Sequence, residues 1–171
     1  DLEQVRREFP LLREAPLAAG LHYLDNAATT QKPQVVLDAM ANSYAGEYGP
    51  IHRGLYPLAE AATDSYERAR ERLARFLGAA SADEVIFTRS ATEAINQVAF
   101  GWARPRLGPG DRIWVSRMEH HANYLPWQRV CRETGAELRI IELDEALGLD
   151  LANTPELFDE RTRLIAVSQV S

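Results

Sequence analysis

The stretch SRMEHHAN, residues 116–123, sets His120 and His121 side by side after Glu119, between a strand-like and a helix-like run. An imidazole pair in such a place can ligate a metal, face a planar ligand, or move protons near neutral pH. Metal is the poorest fit, because adjacent side chains diverge and neither a His-x-x-x-His spacing nor a cysteine pair accompanies them. A loop histidine held for structural reasons is the plain alternative. The second chemistry-bearing stretch is FTRSATEAINQ, residues 87–97. There a strand-like run feeds a helix whose free N–H groups, with the hydroxyls of Ser90 and Thr92, could hold a phosphate. The same residues spell a capping box, Ser90 with Glu93, which closes a helix start without any ligand. Local pattern favours that plainer reading, since Glu93 brings negative charge to the same end. A Gly- and Pro-framed loop, YGPIHRGLYP (48–57), carries His52 and Arg53, and the arginine becomes functional only if it meets a carboxylate or phosphate. Cys131 shares a helical face with Trp127, Val130 and Thr134, which marks it as packing rather than as a nucleophile.

The elements that must position these residues follow from periodicity. Apolar positions Leu58, Ala62, Tyr66, Ala69, Leu73 and Phe76 recur at steps of three and four, giving a long helix over Pro57–Leu77 stopped by Gly78. Pro33 opens an earlier helix running to about Tyr44, broken by Gly46, Gly49 and Pro50. After Gly78 strands and helices alternate: EVIFT (84–88), a helix over 91–103, RIWVS (112–116), and a helix over about 123–134 ending at Gly135. ELRIIEL (137–143), a short PELFDE helix and RLIAVS (163–168) complete the series. Strands that are apolar nearly throughout and separated by helices predict an α/β fold with a mostly parallel sheet covered by helices on both faces. Ligands then bind beyond the carboxyl ends of the strands, where the 87–97 and 116–123 loops lie, and strand order decides whether those loops meet.

Composition limits the partners. With 25 acidic against 19 basic residues the net charge is −6, and the basic residues form no stripe, so nucleic acid and anionic membrane are poor partners. No apolar run approaches the roughly 20 residues of a spanning helix. The charged, amphipathic opening from Asp1 to Glu14 does not read as a signal peptide, and a cytoplasmic location is expected. A single cysteine agrees with a reducing compartment.

In this order and spacing, YLDNAATTQKP (23–33), IHRG (51–54), FTRSATEAIN (87–96), ARPRLGPGD (103–111) and EHHANYLPWQ (119–128) resemble the cysteine desulfurases, including selenocysteine lyase-like enzymes. These belong to the class V aminotransferase-like group of fold type I pyridoxal phosphate (PLP) enzymes. The resemblance implies an N-terminal helical segment (1–22) followed by the first, incomplete part of the PLP-binding large domain (23–171). It implies that His120 stacks on the PLP ring and assists proton transfer, with His121 a structural neighbour. Thr92 and the backbone of Ala91 match the phosphate cup, where many relatives carry a second threonine in place of Ala91. Ala27 and Ala28 match a segment beside the amino-acid substrate, and His52 and Arg53 a loop near the active site and the dimer interface.

The reaction so implied releases sulfur from L-cysteine, or from L-selenocysteine its selenium, giving L-alanine and a persulfide on an enzyme cysteine. A homodimer, a sulfur-acceptor protein and a place in iron–sulfur cluster assembly are implied with it, and no metal site. The Schiff-base lysine, the aspartate partner of the pyridine nitrogen and the persulfide cysteine have no counterparts in these residues. Lys32, the only lysine, and Cys131 match none of those positions. The chain therefore reads as the N-terminal part of such an enzyme, inactive alone, with an unfinished sheet that leaves apolar surface exposed. Other class V reactions (aminotransferase, epimerase, kynureninase-like hydrolase) and a non-catalytic interaction fragment are the alternatives.

Overall fold

The computed structural model describes residues 1–14, 22–152, 157 and 159–170. The chain divides into two compact units, Asp1–Ile86 and Phe87–Ser171.

The first unit is helical among its described residues. Two short helices, α1 (Leu2–Arg7) and α2 (Pro10–Glu14), open the chain. Helix α3 spans Gln34–Asn42, with Pro33 at its N-cap rather than in its first turn, and runs on through a π-helical turn, Ser43–Glu47. Helix α4 spans Pro57–Leu77 as the sequence predicts: Pro57 sits where its missing N–H costs nothing, and Gly78 ends the helix in the left-handed region at φ 72°. Its apolar stripe is less buried than the periodicity suggests. Ala59, Ala62 and Ala74 are buried, whereas Phe76 is 85% exposed and Leu58 and Leu73 are near 40%.

The second unit holds a parallel three-stranded sheet, order β2-β1-β3, formed by β1 (Arg112–Ser116), β2 (Glu137–Ile141) and β3 (Thr162–Ala166). A slip in the β1–β3 register falls between Arg112 and Ile113. Helix α5 (Ala91–Asn96) continues as a π-helical stretch, Gln97–Ala103, and α6 spans Leu125–Thr134. Both pack on one sheet face. Ala99, Ala103, Trp127, Val130 and Cys131 enclose Ile113 and Val115 there, with Leu138, Ile140, Leu164 and Ala166 at the margin. The opposite face carries only a small cluster of Trp114, Ile141 and Leu157. Leu157, helical and buried, belongs to that cluster, so the opposite face of the described sheet also meets a helical residue.

One expected strand does not form. Glu84 closes a 3-10 turn (Ala82–Glu84), and residues 85–88 join no strand of the described sheet. Apolar content alone does not specify a strand, which depends on the segment that lies beside it. Only Val85 of this run is buried, and Ile86 is 73% exposed. Half of the expected PELFDE helix lies outside the described residues, and Leu157 within it is helical.

Candidate active site

The carboxyl end of β1 leads straight into the histidine pair, and the start of α5 lies beside it. Thr92 and Asn96 of α5, Phe100 beyond it, His120, His121 and Arg129 line one open cleft of about 440 Å³. The two chemistry-bearing stretches of the second unit therefore meet, because β1 is the central strand and the helices on either side of it in sequence share one face of the sheet.

The start of α5 combines a side-chain cap with first-turn N–H groups that the helix itself does not use. The Ser90 hydroxyl accepts from the Glu93 N–H at 3.2 Å, as a cap should. Glu93 does not complete the reciprocal box onto Ser90. Its carboxylate instead accepts from the Arg89 N–H at 2.8 Å and from the Arg89 guanidinium at 3.3 Å, and these bonds hold its pKa below the ordinary range. The negative charge that argued against an anion here is offset by Arg89. Ala91 and Thr92 occupy the first two helical positions, where N–H groups have no intrahelical partner. The Thr92 side chain is exposed, while its carbonyl accepts from the Asn96 amide at 2.7 Å.

His120 caps the short 3-10 turn His121–Asn123. Its Nδ1 accepts from the Ala122 N–H at 3.1 Å, which places the proton of the neutral ring on Nε2. The ring is exposed, and the ring of His121 stands 6.3 Å away, tilted by 54°. Across the cleft, the Arg129 guanidinium lies 5.4 Å from the centre of the Phe100 ring and pairs with Glu133 at 2.8 Å. One group that the sequence offered only as a weak metal ligand turns out to be central: Glu119 accepts hydrogen bonds from Ser116, Asn123 and Ser168. Burial raises its pKa, but those bonds outweigh burial and hold it below the ordinary carboxylate value. Among the described residues no group of three His, Cys, Asp or Glu side chains could hold a metal. Cys131 is buried in the core, and desolvation pushes its thiol up to about 11.

The remaining candidates lie in the first unit. Ala27 and Ala28 are exposed in a tight turn that Tyr23 closes by donating to the Thr29 carbonyl at 2.7 Å. Lys32 donates to the Thr30 carbonyl of the same turn. His52 adopts a left-handed backbone, φ 62°, rare for a non-glycine residue. It is held there by three groups of α4: its N–H donates to Thr63 at 3.0 Å, its Nε2 meets Glu67 at 2.7 Å, and its ring stands edge-on to Tyr66. Arg53 is exposed beside it.

Residues 22–171 match the family model described as "Aminotransferase class-V", and the chain belongs to that family, whose cysteine desulfurases use PLP. It is 48% identical to a probable cysteine desulfurase 1 of Mycobacterium leprae (strain TN), over all of this chain and 28% of that one. Two solved structures share the fold. The cysteine desulfurase CsdA of Escherichia coli matches with a TM-score of 0.79 at 41% identity, over 96% of this chain and 40% of its own. The apo cysteine desulfurase from Thermococcus onnurineus NA1 matches with a TM-score of 0.87 at 36% identity, over 99% and 40%. The chain thus spans between 28% and 40% of the length of these relatives.

Proposed function

We propose that this chain supplies the first part of a PLP-dependent cysteine desulfurase, which releases sulfur from L-cysteine or selenium from L-selenocysteine and leaves L-alanine. The observation that carries this reading is the meeting of Thr92 and His120 along one cleft, with the exposed Thr92 hydroxyl at the second position of α5 and Ala91 at the first. That pairing fits a planar, phosphate-bearing group. Thr92 and the backbone of Ala91 would hold its phosphate, and His120 would face its ring. When bound, PLP supplies the electron sink that makes the bonds of an amino acid labile. With such a group bound, His120 would lie against its ring and, with its proton on Nε2, would exchange protons with the reacting amino acid. Phe100 and Leu125 narrow the cleft with apolar surface and help to exclude water.

Ala27, Ala28, His52 and Arg53 are assigned to the substrate side on the family likeness. Small side chains at 27 and 28 let backbone approach an amino acid, and a guanidinium at 53 suits its carboxylate. Residues 1–22 are read as a helical segment before the large domain begins at residue 23. A homodimer, a sulfur-acceptor protein, work in iron–sulfur cluster assembly and a cytoplasmic location complete the reading. No described helix is long and apolar enough to cross a membrane.

The test is an assay of alanine from both amino acids, with protein-bound sulfane sulfur from L-cysteine and released selenium from L-selenocysteine, using the whole polypeptide that carries this chain. Both products are expected with PLP present, and His120→Ala should lower kcat by at least about 100-fold, the usual contribution of a positioned acid–base group. Residues 1–171 alone should form neither product. Pyruvate or a transaminated acid without sulfur release would assign a different class V reaction.

A further inference from the structure

We propose that Glu119 is the positioning residue of the His120 turn, acting as a carboxylate staple whose hydrogen-bond polarity cannot be reproduced by a neutral side chain. The inference deepens the reading of His120 and rests on it for its catalytic consequence, not for its geometry. The turn leaves the end of β1 and is solvent-exposed at His120 and His121. The Glu119 side chain ties it to the strand ends. Its Oε1 accepts from the Ser116 hydroxyl at 2.5 Å and the Ser168 N–H at 2.7 Å, and its Oε2 from the Asn123 amide at 2.8 Å and the Ser168 hydroxyl at 2.7 Å. All four strong acceptor positions of the carboxylate are filled. The donors come from the end of β1, the run after β3, and the residues leading into α6.

The polarity of this network is forced from the core outward. The buried Trp127 indole can only donate, and it donates to Asn123 Oδ1 at 3.0 Å. Asn123 must then present its NH₂ to Glu119. The Ser168 backbone N–H can only donate as well, to the other oxygen. A carboxylate satisfies both, whereas the amide of Glu119→Gln sets a donor against a donor whichever way it is turned. Glu119 and Asn123 flank the turn on either side of His120, and the backbone closes the same ring, with the Asn123 N–H donating to the His120 carbonyl at 2.8 Å. Loosening the staple therefore frees the Ala122 N–H that fixes His120 Nδ1.

A second substitution restores the match. With Asn123→Asp added to Glu119→Gln, the aspartate accepts both the Trp127 indole and the new amide. The Ser168 hydroxyl turns to accept, and the carbonyl keeps Ser116 and the Ser168 N–H. The charge moves one residue step along the network and every donor is again matched. The test is amide hydrogen exchange at Ala122, with Val115 and Ile140 as strand controls, on the whole polypeptide without cofactor, together with kcat and PLP content of the loaded enzyme. Glu119→Gln should speed Ala122 exchange roughly tenfold or more and lower kcat with PLP content unchanged, as the loss of bonds to a charged group demands. The double substitution should return both to within about twofold of the parent. Ala122 exchange unmoved by Glu119→Gln, a double variant as fast as the single one, or an unchanged kcat in the single variant would overturn the proposal. A polypeptide that takes up no PLP at all would sink the functional reading, and the exchange experiment would still decide the staple.

Discussion

Cys131 and Glu119 show how differently single residues can be read. Cys131 shares a helical face with Trp127 and Val130, and all three are buried, so its role as packing is visible in local spacing. As the only thiol, it is also a clean probe. Burial raises its pKa from 9.0 to about 11, so the thiolate needed for alkylation is scarce at pH 8. Iodoacetamide at pH 8 is expected to leave it unmodified in the folded chain and to alkylate it readily in strong denaturant; equal rates would contradict its placement. The sign for stability follows: a raised folded pKa means the contribution is complete below pH 9 and is lost as the pH rises through about 11. Urea midpoints should therefore fall across that window, and Cys131→Ala should remove this part of the fall. Glu119 was not legible in the same way. Its partner Ser168 lies 49 residues away and is brought near only by the pairing of β3 with β1. A glutamate beside two histidines suggests a metal ligand, and only the three-dimensional donor set reveals a staple.

At the scale of elements, helix ends were the most readable features, because their signals are local. Gly78 and Gly135 both close helices in the left-handed region, at φ 72° and 79°. They differ in surroundings. A Cβ at Gly78 meets nothing within 4 Å, whereas one at Gly135 would come within 3.2 Å of the Pro109 ring. Gly78→Ala should cost about 1 kcal/mol in urea unfolding, from backbone strain alone. Gly135→Ala should cost more, and equal losses would show that the Pro109 contact does not matter. Ser90→Ala is expected to cost about 1 kcal/mol through loss of the cap on α5. The failures at this scale have one cause. The EVIFT run and the large apolar residues of α4 carry the right composition for a strand and a buried stripe, but strand pairing and burial depend on a neighbouring layer that local periodicity does not specify. The π-helical continuation of α5 after Asn96 likewise has no marker in residue type.

For the whole molecule, the fold class and the parallel sheet were readable from alternating strands and helices, and the meeting of Thr92 with His120 was not, since it turns on strand order. Large apolar side chains are exposed in both units: Leu24, Leu55, Phe76 and Val170 are each at least 85% exposed, and β2 and β3 are the two edges of the described sheet. Surface of this kind drives association. Residues 1–171 expressed alone should therefore scatter light as species heavier than 19.2 kDa and bind a hydrophobic dye; a monodisperse 19.2 kDa monomer without dye binding would contradict this. The chain spans 28% to 40% of its relatives, and its only lysine is tied into the turn beside Thr30. The most direct measurement of the central claim is the intact mass and peptide map of the whole polypeptide after incubation with PLP and reduction with borohydride, run in parallel with Thr92→Ala and His120→Ala. The expected result is one PLP fixed to a lysine outside residues 1–171, with weaker uptake in Thr92→Ala and an altered visible absorption band in His120→Ala. No specific adduct, an adduct on Lys32, or uptake and spectra indifferent to both substitutions would mean that this cleft does not hold the cofactor.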